Sequence, residues 1–154
     1  MGMMTRWLGI SGVLLSVGLA FAQSTTTVTT SSTTTTTTTL FGGCTVEVSF
    51  TSVLCRLDAL VAFVDSATDL GRSKGQLHAS AQKARKQCGK ASDFGTGKKA
   101  SNQLKKCAKT IDTFRHKLDS HSAKQIIPAE TRTLLREDVA APLHSDVNAL
   151  RGQV

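Results

Sequence analysis

Aromatic side chains are scarce in this chain. Of its 154 residues none is tyrosine, one is tryptophan and six are phenylalanine. The tryptophan, Trp7, lies in an N-terminal segment that we expect to be removed. The folded part must therefore build its core from aliphatic side chains and alanine, with few phenylalanines.

Motifs that carry catalysis are also absent. The sequence has no G-x-S-x-G and no H-E-x-x-H. Gly97-Lys98 departs from a phosphate-binding loop because Lys99 stands where Ser or Thr is required. The histidines form no ligand pattern on one face: His78, His116, His121 and His144. We predict no catalytic residue, no metal and no cofactor, and a chain that is not an enzyme.

The N-terminus has the pattern of an export signal. Trp7 to Ala22 is apolar and follows a weakly basic start, and it ends in Ala20-Phe21-Ala22, a small-residue cleavage pattern. The apolar stretch is shorter than the roughly 20 residues that span a bilayer, and glycine and serine dilute it. We predict a signal peptide over 1–22, a secreted or cell-surface protein, and no transmembrane segment in the mature chain.

Threonine dominates the segment that follows. From Ser24 to Leu40 the sequence holds 12 Thr and 3 Ser in 17 residues. Such side chains bury too little surface to offset the entropy of ordering, so we predict a disordered Thr/Ser-rich linker over 23–43. It is either a plain spacer or an O-glycosylated stalk.

Residues 44–154 have the periodicity of helices. The pattern predicts an all-α, up-down antiparallel bundle of about four helices, stapled by disulfides. The first helix should run from about Thr51 to Leu70, with Thr51 or Ser52 as its cap, Gly71 as its stop and Arg56 on its polar side. The segment before it, Cys44 to Phe50, is predicted to be an extended arm.

Three further helices follow the first. Ser73 should open the second with a capping box, and the Asp93–Gly97 segment should end it. Apolar residues from Ala100 to Leu118 define the third. The fourth should begin at Pro128 and kink near Ala140, because Pro142 lies inside it.

The four cysteines are predicted to form two disulfides, because they occur in even number in a small exported chain and lack C-x-x-C spacing. Around a turn at Gly71, Cys55 and Cys88 fall at nearly the same height on antiparallel helices. We therefore expect Cys55–Cys88, which leaves Cys44 for Cys107 and carries the arm across the third helix. The alternative is Cys88–Cys107 with Cys44–Cys55.

Basic residues concentrate in one part of the chain. From Arg72 to Lys124 there are 14 Lys or Arg against 3 Asp, whereas the rest of the mature chain has 4 against 8 acidic residues. The candidate anion-binding residues are Lys83, Arg85, Lys86, Lys90, Lys98, Lys99, Lys105, Lys106 and Lys109. Their partner would be an anionic polysaccharide or an envelope surface. The lack of aromatics on these polar faces argues against sequence-specific binding of nucleic acid. Alternatively, the basic helices complement acidic ones within the fold, or form only a solvated face.

Residues from Phe50 to Arg151 resemble a helical module found at the ends of secreted bacterial proteins. The shared pattern includes Cys55-Arg56-Leu57-Asp58-Ala59-Leu60, Cys88-Gly89 and Ile127-Pro128-Ala129. It is similar in layout to FIMAH-type modules. The resemblance implies a bacterial exported protein with an accessory, non-catalytic role, and it carries over no functional residue.

Two functions follow from these patterns. The first is an exported, non-enzymatic surface or matrix module on a Thr-rich stalk. The second is a binder of an anionic polymer or envelope surface through the basic second and third helices.

Overall fold

The computed structural model describes Gly43–Val154, and the predicted signal peptide and almost all of the predicted Thr-rich linker lie outside these residues. Gly43–Val154 is all-helical and contains no strand, as the apolar periodicity predicted. The helices are α1 (Phe50–Ser66), α2 (Lys74–Phe94), α3 (Lys98–Leu118), α4 (His121–Ile126), α5 (Ala129–Thr133) and α6 (Ala141–Gln153), with a 3₁₀ turn at Gly71–Ser73 and a π-helical segment at Leu134–Ala140.

One hydrophobic core joins these helices. It is aliphatic and rich in alanine, as the composition predicted, and Phe114 is its one fully buried aromatic side chain. On α2 and α3 the small residues Ala81, Ala84 and Ala108 line this core, so the backbones of neighbouring helices can approach closely.

Helix α1 begins at Phe50, one residue earlier than predicted. Ser49, rather than Thr51 or Ser52, is its N-cap, and the Ser49 side chain accepts a hydrogen bond from the Ser52 amide. The prediction that Arg56 lies on the polar side of this helix was also wrong. Arg56 is buried and forms an ion pair with Asp146 of α6, with 2.6 Å between Nη2 and Oδ2. The charge of Arg56 is thus compensated by a carboxylate 90 positions along the chain.

The turn between α1 and α2 is built around Gly71. Helix α1 ends at Ser66 rather than Leu70, and Leu70 is fully buried. Gly71 has φ of +48°, and the Ile126 side chain occupies the space that a Cβ would need. The capping box predicted at Ser73 is absent, because Ser73 already has helical dihedrals and its side chain makes no capping hydrogen bond.

Helices α1, α2 and α3 run antiparallel to their neighbours in sequence. Asp58 pairs with Arg85 and Asp65 approaches His78, so numbers rise on α1 as they fall on α2. Between α2 and α3, Gln87 pairs with Thr110 and Ser80 with Lys117, so the numbering again runs in opposite directions. Gly95 and Gly97, with φ of +67° and +88°, form the tight connection between α2 and α3.

The last third of the chain is more broken than predicted. A short helix, α4, was not predicted; Ser120 caps it through the Ala123 amide. Pro128 is the N-cap of α5 rather than its first residue. The disturbance predicted near Ala140 is present as the π-helical segment, in which the Ala141 amide reaches back to the Arg136 carbonyl. Pro142 causes it, because it has no N–H and its ring crowds the carbonyl four residues earlier.

The predicted cysteine pairing is wrong. Cys44 is bonded to Cys55, with 5.7 Å between Cα atoms, and Cys88 to Cys107, with 5.6 Å. The segment before α1 is therefore a local loop folded onto that helix, and it does not cross α3. A hydrogen bond from the Ser52 hydroxyl to the Thr45 carbonyl holds the same loop.

The predicted Cys55–Cys88 pairing was wrong because the two side chains point in different directions around their helices. Their positions along the helix axes were predicted correctly. The Asp58–Arg85 pair places Cys55 level with Cys88, as predicted. However, Cys55 follows the buried Val53 by two residues, which is about 200° around an α-helix. Cys55 thus faces away from the buried stripe of α1, whereas Cys88 is fully buried and faces α3, where Cys107 lies.

Candidate anion-binding surface

The sequence of α2 and α3 places lysines on one side of the pair. In both helices the buried apolar residues recur mainly at intervals of three and four, so each helix has an apolar stripe toward the core. The remaining positions are partly or fully exposed to solvent. Helix α2 carries Asp93 as its one acidic residue, and α3 carries Asp112.

Every candidate anion-binding residue is exposed to solvent. This group comprises Lys83, Arg85, Lys86, Lys90, Lys98, Lys99, Lys105, Lys106 and Lys109. Within Gly43–Val154, none of the eight lysines in the group has a carboxylate oxygen within 4.0 Å. Their charges are therefore available to a partner, which is the minimum requirement of an anion-binding surface.

Arg85 differs from the eight lysines because it is already paired. Its Nε lies 2.7 Å from Asp58 Oδ1 and its Nη2 lies 3.3 Å from Oδ2, a bidentate arrangement across α1 and α2. The hydrogen bond to Asp58, together with its negative charge, raises the pKa of Arg85 above its ordinary value. The main role of Arg85 is therefore structural, because it links α1 to α2.

The lysines form rows along each helix. Lys83, Lys86 and Lys90 are spaced by three and four residues and so share one side of α2. Lys106 and Lys109, three residues apart, share one side of α3. Like charges at such spacing destabilise a helix by about 0.2–0.5 kcal/mol per pair. A bound anion would remove this repulsion, and it would be attracted by several charges at once.

Polar contacts between α2 and α3 bring the two rows side by side. The Thr110 hydroxyl donates a hydrogen bond of 2.6 Å to the Gln87 side-chain oxygen. Lys83 and Lys90 lie about one turn from Gln87 on either side, and Lys106 lies one turn from Thr110. We call the surface of Lys83, Lys86, Lys90, Lys106 and Lys109 the lysine face.

One lysine of α3 has a structural role that the sequence did not reveal. Lys117 Nζ lies 2.7 Å from the Ser80 hydroxyl and 3.1 Å from the Gln76 carbonyl of α2. Its charge-assisted hydrogen bonds tie the far end of α3 to α2. The partners are separated by 37 and 41 positions, so no local pattern could have identified them.

A groove of about 750 Å³ lies between α1 and α2, beside the lysine face. Leu54 and Val61 supply apolar surface, and Lys86, Lys90 and Asp93 supply charges. The groove therefore presents both signs of charge on an apolar base. The sequence alone did not identify it, because its two walls come from different helices.

The histidines lie on four different helices. His78 approaches Asp65 at 3.9 Å and His116 approaches Asp112 at 3.4 Å. His121 contacts Gln125 within α4. Across Gly43–Val154, no group of three or more His, Cys, Asp or Glu side chains is arranged to hold a metal ion.

None of the helices in Gly43–Val154 combines the length and the apolar character that crossing a membrane requires. Comparison of the chain with protein-family models, with curated proteins and with solved structures found no significant match.

Proposed function

We propose that this chain is an exported, non-enzymatic surface or matrix module, in which an up-down bundle of four helices is carried on a Thr-rich stalk. Its two disulfides support an oxidising, extracellular location, where such bonds persist. The resemblance to FIMAH-type modules is in keeping with this role. The bundle serves as a small, stapled scaffold that displays a surface.

Intact-mass measurement of secreted material tests the export proposal. The expected mature chain begins at or near Gln23, and its mass contains two disulfides. A chain that retains Met1 to Ala22 and is recovered in the membrane fraction would overturn the proposal.

The second candidate function is the binding of an anionic polymer, and one observation favours it: the eight exposed lysines have no carboxylate partner in the described part of the chain. Lysine is a flexible point charge, suited to a polymer whose anionic groups are spaced irregularly. Acidic polysaccharides have this character. Such binding is salt-dependent, because each contact releases a condensed counterion.

Binding to heparin, a sulfated polysaccharide, tests this function. Replacing Lys83, Lys86 and Lys109 by glutamine removes three charges from the middle of the lysine face. By analogy with nucleic-acid polyanions, the slope of log affinity against log salt should fall by about three. The matched control replaces Arg72, Lys124 and Arg151, which are also exposed but lie outside the lysine face.

The control variant has the same net charge and should keep nearly the parental slope. If both variants weaken equally, the interaction depends on net charge alone and the lysine face has no special role. Neutral dextran should not bind to either variant or to the parent.

A further inference from the structure

Three of the large exposed apolar side chains in the described residues, Val46, Val48 and Phe94, lie at one end of the helices. In Gly43–Val154 four large apolar side chains are exposed: Val46 at 85%, Val48 at 40%, Phe94 at 47% and Ile126 at 40%. The register set by Asp58 and Arg85 places the start of α1 level with the end of α2. Phe94 therefore lies at the same end as the loop before α1.

The loop itself is held at that end by covalent and hydrogen bonds. The Cys44–Cys55 disulfide and the bond from Ser52 to the Thr45 carbonyl keep it against the first two turns of α1. Val46 and Val48 are thus presented by a constrained loop. Because the loop is already constrained, it loses little further conformational entropy when its side chains bind to another surface.

The charges near Phe94 in sequence are mainly positive, whereas Glu47 lies between Val46 and Val48. Lys90 precedes Phe94 by one turn, and Lys98 and Lys99 begin α3 just beyond the Gly95–Gly97 connection. Asp93 and Glu47 are the acidic residues nearby in sequence, and the first turn of α3 has none. Apolar side chains beside lysines match a surface that has an apolar interior and anionic headgroups.

We propose that this end, formed by Val46, Val48 and Phe94 with Lys90, Lys98 and Lys99, docks onto anionic lipid bilayers. The apolar side chains enter the interface between headgroups and acyl chains, and the lysine ammonium groups contact lipid phosphates. The docking is peripheral. It goes beyond the binding of polymers by the lysine face, because its energy comes partly from apolar burial at Phe94.

Co-sedimentation of the full mature chain with vesicles tests this inference. Vesicles of phosphatidylcholine with phosphatidylglycerol should bind the protein, and vesicles of phosphatidylcholine alone should bind it far less. Phe94→Ser should weaken binding about tenfold, because one partly buried aromatic side chain is lost from the interface. Val46→Ser should weaken it by a smaller factor.

The matched control is Ile126→Ser, which removes an equally exposed apolar side chain at the opposite end, beside Gly71. It should leave vesicle binding unchanged. Circular dichroism must show that all three variants keep the parental helix content. Heparin binding by Phe94→Ser should also stay at the parental level, which separates this surface from the lysine face.

Three outcomes would overturn the inference. Vesicle binding that is insensitive to Phe94→Ser but lost with the lysine-face variant would be purely electrostatic. Absence of binding to the anionic vesicles would exclude lipid as the partner. Concentration-dependent self-association that Phe94→Ser abolishes, measured by sedimentation velocity without lipid, would assign the surface to a second copy of the chain.

Discussion

Arg56 and Arg85 each form an ion pair between helices, and the two pairs differ mainly in their burial. Arg56 is 3% exposed and its partner Asp146 is 21% exposed, whereas Arg85 and Asp58 are each about half exposed. Removing one partner of a buried pair leaves the other charge poorly solvated, so the cost exceeds that of an exposed pair.

Arg56→Met should therefore lower the free energy of unfolding by about 2 kcal/mol, less than for a fully buried pair because water still reaches Asp146. Arg85→Met is the matched control and should cost less than about 1 kcal/mol. Urea denaturation of both variants makes the measurement. Equal losses would show that Asp146 is solvated well enough to need no partner.

The turn between α1 and α2 requires glycine at position 71, because a side chain there would not fit. Its φ of +48° is disfavoured for other residues, and Ile126 fills the position of a Cβ. Gly71→Ala should lower the free energy of unfolding by about 1–3 kcal/mol. In contrast, Gly89 lies within α2 with no atom near its Cβ position, so Gly89→Ala should stabilise by about 0.5–1 kcal/mol. Thermal unfolding would reveal the opposite signs, and a shift of the same sign in both would contradict the role of Gly71.

At the scale of elements, apolar periodicity predicted the long helices and proline chemistry predicted the break before Pro142. The position of Cys55 along the helix axis, level with Cys88, was also predictable. It depends only on the number of residues between each cysteine and the turn at Gly71. Their directions were misjudged, since Cys55 does not share the stripe of Val53 and Leu57. The solvent-facing lysines followed from polarity, whereas the Asp58–Arg85 link needs contacts 27 positions apart, which no local pattern contains.

The disulfide pattern gives a prediction at this scale. Trypsin cuts after Lys and Arg, and no such residue lies between Cys44 and Arg56. Without reduction, Cys44 and Cys55 should occur in one peptide that is two hydrogens lighter than its reduced form. Gln87–Lys90 should be linked to Cys107–Lys109. A peptide joining Cys55 to Cys88 would contradict the structure.

The two bonds should also stabilise the chain. Their loops span 11 and 19 residues, so the chain-entropy description gives about 3 kcal/mol for each. Replacing Cys88 and Cys107 by alanine should lower the melting temperature, and helix content at low temperature should be retained. Loss of helix content at low temperature would show instead that this bond is needed for α2 and α3 to form.

At the scale of the whole molecule, Gly43–Val154 has its own continuous core, built from helices on both sides of the π-helical segment. A chain that starts at Gly43 should therefore fold without the preceding residues. Its circular dichroism spectrum should be strongly helical and should melt cooperatively. A spectrum dominated by β-structure, or a melt without a transition, would contradict this expectation.

The Cys44–Cys55 bond also determines how the bundle would respond to mechanical load. Tension applied through Gly43 enters α1 at Cys55 by way of the disulfide, because the covalent bridge is shorter than the intervening chain. The residues from Phe50 to Leu54 are bypassed and cannot be peeled away turn by turn. A pulling force therefore acts on α1 from Cys55 onward, where the helix packs on the core, and the first turn is protected from unwinding under load.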